Sequence, residues 1–106
     1  MDLTIATLIV DDHRIAHIAR HQVTLEEIQE IVSGDYAYIQ GRQDRWLLIG
    51  KTSQGRFLTV VVGQRAPAHT SGLVTARPAS REERSFSAEL ALQKGAEDHD
   101  QTGATT

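Results

Sequence analysis

The sequence predicts an α+β domain: an N-terminal strand and two helices, an antiparallel meander of three or four strands, and a C-terminal helix. Three observations predict it. Thr24 to Glu27 and Ser80 to Glu83 each carry the punctuation of a helix start. Between them lie short apolar runs rich in strand formers, RWLLIG and RFLTVVV, separated by polar turn residues. The chain has 106 residues and no internal repeat, which sets it at one small domain with a single modest core.

Each element follows from its residues. In LTIATLIV, the β-branched content and the Asp pair that follows favour a strand over a helical stripe of Ile5, Leu8 and Ile9. Asp11 or Asp12 caps a first helix that runs to about Arg20. The second helix starts at Thr24 as N-cap, with Glu27 closing a capping box, Val23 and Ile28 as hydrophobic staple, and Gly34 as terminator. Leu25, Ile28, Ile31 and Val32 form its core stripe and leave Glu26, Gln29 and Glu30 outward. Tyr36 to Gln40 is a weak strand, and Arg45 to Gly50 pairs with Arg56 to Val62 as a hairpin through KTSQG. GQRAPAHTSG reads as a loop before a strand over Leu73 to Arg77, where Pro78 keeps Arg77 extended. Ser80 and Glu83 then cap a helix over about Arg81 to Gln93, with Phe86 and Leu90 facing the sheet. From Gly95 the composition GAEDHDQTGATT carries almost nothing apolar and predicts a disordered tail, so the folded domain is 1–94 and the tail 95–106.

Composition removes several function classes. There is no cysteine, hence neither disulfide, thiolate nucleophile nor Cys-type zinc site, in keeping with a reducing cytoplasm. The apolar run around Ile5 to Val10 is too short to span a bilayer, and Asp2 sits where a signal peptide needs positive charge, so a soluble cytoplasmic protein is expected. No glycine-rich nucleotide loop and no nucleophile elbow occurs. The net charge of −3 is uneven. Between His13 and Arg84 there are ten Lys or Arg against seven Asp or Glu, and nine of the eleven basic residues are arginine, the side chain that grips phosphate or carboxylate with a planar fork.

Position selects the candidates. Arg77 ends a strand, and Arg81 and Arg84 lie on the first turns of the following helix, whose free N–H groups favour an anion. The competing reading pairs these arginines with Glu82, Glu83 or second-helix carboxylates as a surface network. Arg45 and Arg56 flank the hairpin and extend the basic face. His17 and His21 can donate to a phosphate or move a proton, since imidazole titrates near neutrality. His13, His17 and His21 recur every four residues, but His21 falls at the expected helix break and no carboxylate completes a ligand set, so no metal is expected. Trp46 is read as core packing, and Tyr36 and Tyr38 as cover for the sheet.

HIARHQVTLEEIQEIV, RWLLIG, GRFLTVVV and TARPASREERSF resemble, in this order and spacing, the BrnT-type toxins of bacterial toxin–antitoxin pairs, over about Asp11 to Phe86. The resemblance implies a compact RelE-like fold, a metal-independent and cofactor-free endoribonuclease activity, and neutralisation by a ribbon-helix-helix antitoxin. It implies RNA as the target, with no membrane and no DNA bound by the chain alone. His21 matches the family histidine before the second helix, Arg45 the basic residue opening the strand that ends in Ile-Gly, and Arg56 the residue after the hairpin glycine. Arg77 and Arg84 match the arginines of the family's Ala-Arg and Glu-Arg pairs. The implied mechanism is attack by the RNA's own 2′-hydroxyl, with Arg77 and Arg84 on the scissile phosphate and His21, with His17, handling a proton. Arg45, Arg56 and Arg81 then hold flanking phosphates. The chain departs from the family at His17, where many relatives have Asn, at Gln22, where they have Gly, and at Phe86, where they have Tyr. The missing tyrosine and the overall acidity favour an alternative: a catalytically inactive binding module that docks an antitoxin or another regulator. A zinc protein using the histidine ladder is a third option.

Overall fold

The central strands carry buried side chains on both faces, and the computed structural model, which describes residues 5–89, is a sheet with the first two helices on one face and the start of the closing helix held against the other. The elements are β1 (Thr7–Ile9), α1 (Asp12–Ala19), α2 (Leu25–Ser33), β2 (Tyr36–Gln40), β3 (Arg45–Lys51), β4 (Phe57–Arg65) and β5 (Thr70–Pro78). Residues 81–89 form a closing helix, α3. The sheet order is β1-β5-β4-β3-β2, antiparallel except for the parallel pairing of β1 with β5. Leu90 to Gln93 and the tail 95–106 lie outside the described residues.

Sidedness comes from the two-residue period of a strand. Leu58, Val60, Val62, Leu48, Leu73 and Ala76 form one core with Ile18 of α1, Val23 of the interhelical turn, and Ile28 and Ile31 of α2. Their strand neighbours point the other way: Ile49, Thr59 and Arg77 are cross-strand partners on the face turned from α1 and α2. Trp46, Tyr36 and Tyr38 pack against the first core, with edge-to-face contacts Tyr36–Tyr38 and Tyr38–Trp46 at 6.2 and 5.7 Å.

The capping box of α2 is complete: the Glu27 N–H donates to Thr24 Oγ1 at 3.2 Å, and the Thr24 N–H donates to Glu27 Oε1 at 3.0 Å. Gly34 ends α2 without a left-handed turn (φ −106°); glycine is required because a Cβ there would lie 2.9 Å from the Glu30 carbonyl oxygen. Asp11 is the N-cap of α1 by backbone geometry, with no side-chain cap bond. Instead Arg14 fastens α1 to the sheet, donating from Nη1 to the Val74 carbonyl at 3.0 Å.

Two expectations are corrected. The stretch 63–72 is mostly strand: β4 continues to Arg65 and β5 begins at Thr70, with Gln64 facing Ser71 and Arg65 facing Thr70 across a short turn. Its polar residues concealed a ladder that backbone pairing alone sustains, since sheet hydrogen bonds do not depend on apolar side chains. The N-terminal strand covers only Thr7–Ile9 of the described residues, shorter than the expected run, and pairs parallel to β5.

Candidate functional site

The N-terminus of α3 repeats the logic of α2. Ser80 Oγ accepts from the Glu83 N–H at 3.1 Å, and Glu83 Oε1 accepts from the Ser80 N–H at 2.8 Å. The same carboxylate takes both prongs of Arg77, Nη1 to Oε1 at 2.6 Å and Nη2 to Oε2 at 2.8 Å. Arg77 therefore already holds a planar anion in the geometry it would use for phosphate. These bonds, with the neighbouring charge, bring the Glu83 carboxyl down to about 2 despite partial burial, and raise the Arg77 guanidinium in turn. Beneath the pair, Thr59 is fully buried. Its hydroxyl faces Glu83 closely enough to help hold it ionised, yet completes no well-formed hydrogen bond.

Arg56 has a matching partner on the opposite side of the sheet. Its Nη1 lies 3.0 Å from both oxygens of Glu27, the capping glutamate of α2. Burial alone would push the Glu27 carboxyl up, but the Thr24 N–H and Arg56 outweigh it and the net shift is downward. Arg56 precedes β4 and Arg77 nearly ends β5, where the Ala79 N–H donates to the Phe57 carbonyl at 3.0 Å. Two arginine–glutamate clamps thus sit at one end of the sheet, one on each face. Each secures a helix start to a strand.

The remaining candidates separate. His17 and His21 contact each other edge to face at 5.3 Å, on and just beyond α1. Because α1 covers the Ala76 face, the sheet stands between these rings and Arg77. The expected shared pocket for imidazoles and Arg77 is therefore not formed. Arg45 shares the Arg77 face but opens β3 at its far end, four residues and two strands away from the Ile49–Thr59–Arg77 row, roughly 15 Å. Arg81 and Arg84 are exposed and make no ion pair among the described residues. The histidine ladder is broken where α1 ends at Ala19, and no group of three potential ligands among the described residues is placed to hold a metal ion. No described helix is long and apolar enough to cross a membrane.

The network that sequence reasoning left unassigned is Glu27 with Arg56, though both residues had been singled out separately. Its signal was the capping box itself: a glutamate held at N3 has a fixed direction and can serve a neighbouring cation. A third pair, Arg65 with Asp11 at 3.3 Å, ties β4 to the start of α1 across Gly72, where any Cβ would strike the Arg65 guanidinium.

No family model and no curated protein sequence matches the chain. Among solved structures the chain is similar to the ribonuclease toxin BrnT of Brucella abortus, with 20% sequence identity, a TM-score of 0.56, and coverage of 74% of this chain and 100% of that one. The likeness spans the whole of that toxin, and the chain has the BrnT-like α+β fold.

Proposed function

We propose that this chain is a toxin-type endoribonuclease of the kind paired with a small ribbon-helix-helix antitoxin. It acts without metal or cofactor. The reading is carried by the arginines gathered at the start of α3, on a scaffold that matches a solved ribonuclease toxin end to end. The ordered motifs quoted above support it independently.

The RNA 2′-oxygen attacks the adjacent phosphorus and the bond from phosphorus to the 5′-oxygen breaks, leaving a 2′,3′-cyclic phosphate and a 5′-hydroxyl. The 2′-hydroxyl gives up its proton to water and the departing 5′-oxygen takes one from water. Arg77 and Arg84 stabilise the added negative charge of the pentacoordinate phosphorus, with Arg81 beside them. His17 and His21, across the sheet, are assigned with Arg56 to a neighbouring stretch of the RNA rather than to the same phosphate. Arg45 steers backbone farther along.

A second reading, a docking module without cleavage, is favoured by one specific observation: both Arg77 and Arg56 are occupied by internal carboxylates. Single-stranded RNA incubated with the purified chain in excess chelator decides between them. Cyclic-phosphate ends that disappear in a folded Arg77→Ala variant support the nuclease. Intact RNA together with stable co-purification of a small partner supports the module, and cleavage undiminished in Arg77→Ala removes the arginine assignment.

A further inference from the structure

Resting on the reading of α3 as an RNA-facing surface, we propose that Glu83 is the resident occupant of a phosphodiester site, and that an RNA phosphate enters by displacing it from Arg77. The site comprises Arg77, the Thr59 hydroxyl and the exposed Arg81.

Three observations converge. Arg77 is oriented as a two-pronged donor to a planar anion while its side chain keeps 40% exposure, so the guanidinium is reachable from solvent. Glu83 fills that fork and simultaneously caps Ser80, so its departure frees the Ser80 N–H at the helix start as a further donor. Thr59 supplies the second sign of a ligand: its hydroxyl is fully buried, lies on the face of Arg77 as that residue's cross-strand partner, and completes no well-formed hydrogen bond even with the Glu83 carboxylate that it faces. A buried hydroxyl left unsatisfied is costly and uncommon. The non-bridging oxygens of a phosphodiester sit on a tetrahedral centre and each accepts more than one hydrogen bond, so one of them can accept from Thr59 while sharing the Arg77 fork. Arg81, exposed on the first turn of α3, adds a second cation to that helix start.

The consequence is competition between a tethered carboxylate and a free phosphate. Removing the charge at position 83 while keeping its shape tips the balance toward the ligand.

The test is binding of an uncleavable 2′-O-methyl RNA oligonucleotide, followed by fluorescence anisotropy at fixed salt. Glu83→Gln is expected to bind about tenfold more tightly than the native chain, and Arg77→Gln in the same background to cancel the gain. Equal or weaker binding by a folded Glu83→Gln overturns the proposal. Should that variant not fold, the native chain suffices: on saturation with the oligonucleotide the Arg77 guanidinium and Glu83 carboxyl NMR signals shift together. Binding that leaves both signals in place overturns the proposal, as does absence of binding. Because the oligonucleotide cannot be cut, displacement of Glu83 by RNA without any nuclease activity on ordinary RNA would retain this inference and remove only the catalytic reading.

Discussion

Arg77 and Glu83, six residues apart, close a parallel two-bond ion pair that joins the end of β5 to the first turn of α3. The pair governs acid stability. Glu83 has a carboxyl depressed from 4.5 to about 2 in the folded chain, so its contribution is present above the unfolded value and is lost as pH falls from 4.5 through about 2. Thermal melts of the native chain should fall across that window, and melts of Glu83→Gln should fall less. Parallel curves for the two proteins would count against the assignment.

Glu27 performs two tasks, capping Thr24 and holding Arg56. Glu27→Ala should cost about 1–2 kcal/mol in urea unfolding, because one truncation removes a cap and leaves a half-exposed arginine unpaired. Thr24→Ala should cost about 1 kcal/mol, since the Arg56 contact survives. Equal losses would mean that Arg56 adds nothing.

Gln22 holds a left-handed backbone, φ 61°, in the turn between α1 and α2. A side chain there is strained relative to glycine. Gln22→Gly should therefore raise the free energy of unfolding by about 1 kcal/mol, and the midpoint with it, against the usual direction for glycine substitutions. A lower midpoint would show that the Gln22 side chain contributes more than its backbone costs.

Ile18 is the one fully buried side chain of α1. Ile18→Ala should cost about 2–5 kcal/mol and raise amide exchange in α1 before it does so in β4. At Gly50, an added methyl would meet Ile31 at 3.0 and 3.1 Å and the Asp35 carbonyl at 3.3 Å. Gly50→Ala should cost about 1–3 kcal/mol by forcing α2 away from β3.

Local rules made much of this fold legible. Both capping boxes, the β3–β4 hairpin and the Ile28–Ile31 stripe follow from side chains acting within a few residues of themselves. The pairing of Arg77 with Glu83 was among the alternatives the sequence offered, because N3 of a helix and the strand before it are near neighbours. Relationships across the sheet were not legible. The tight turn with left-handed Gln43 and Asp44 carries no glycine between its central positions, and the extension of β4 and β5 through Gln64 and Ser71 carries no apolar signal. The separation of His21 from Arg77 depends on strand parity, which spacing along the chain does not reveal.

That parity hangs on a single surplus residue. Val61 faces Thr75 while Val62 faces Leu73, so Val74 has no counterpart in β4, and its carbonyl is taken by Arg14. Had the same residues run on from Leu73 in regular register, Ala76 would have faced Thr59 and pointed outward, and Arg77 would have faced Leu58 in the apolar interior beneath α1. Losing Val74 itself would only straighten the strand, leaving Ala76 opposite Val60 and Arg77 opposite Thr59, whereas pairing Val74 into the ladder with every residue kept would turn the outward-aimed cation into a buried one.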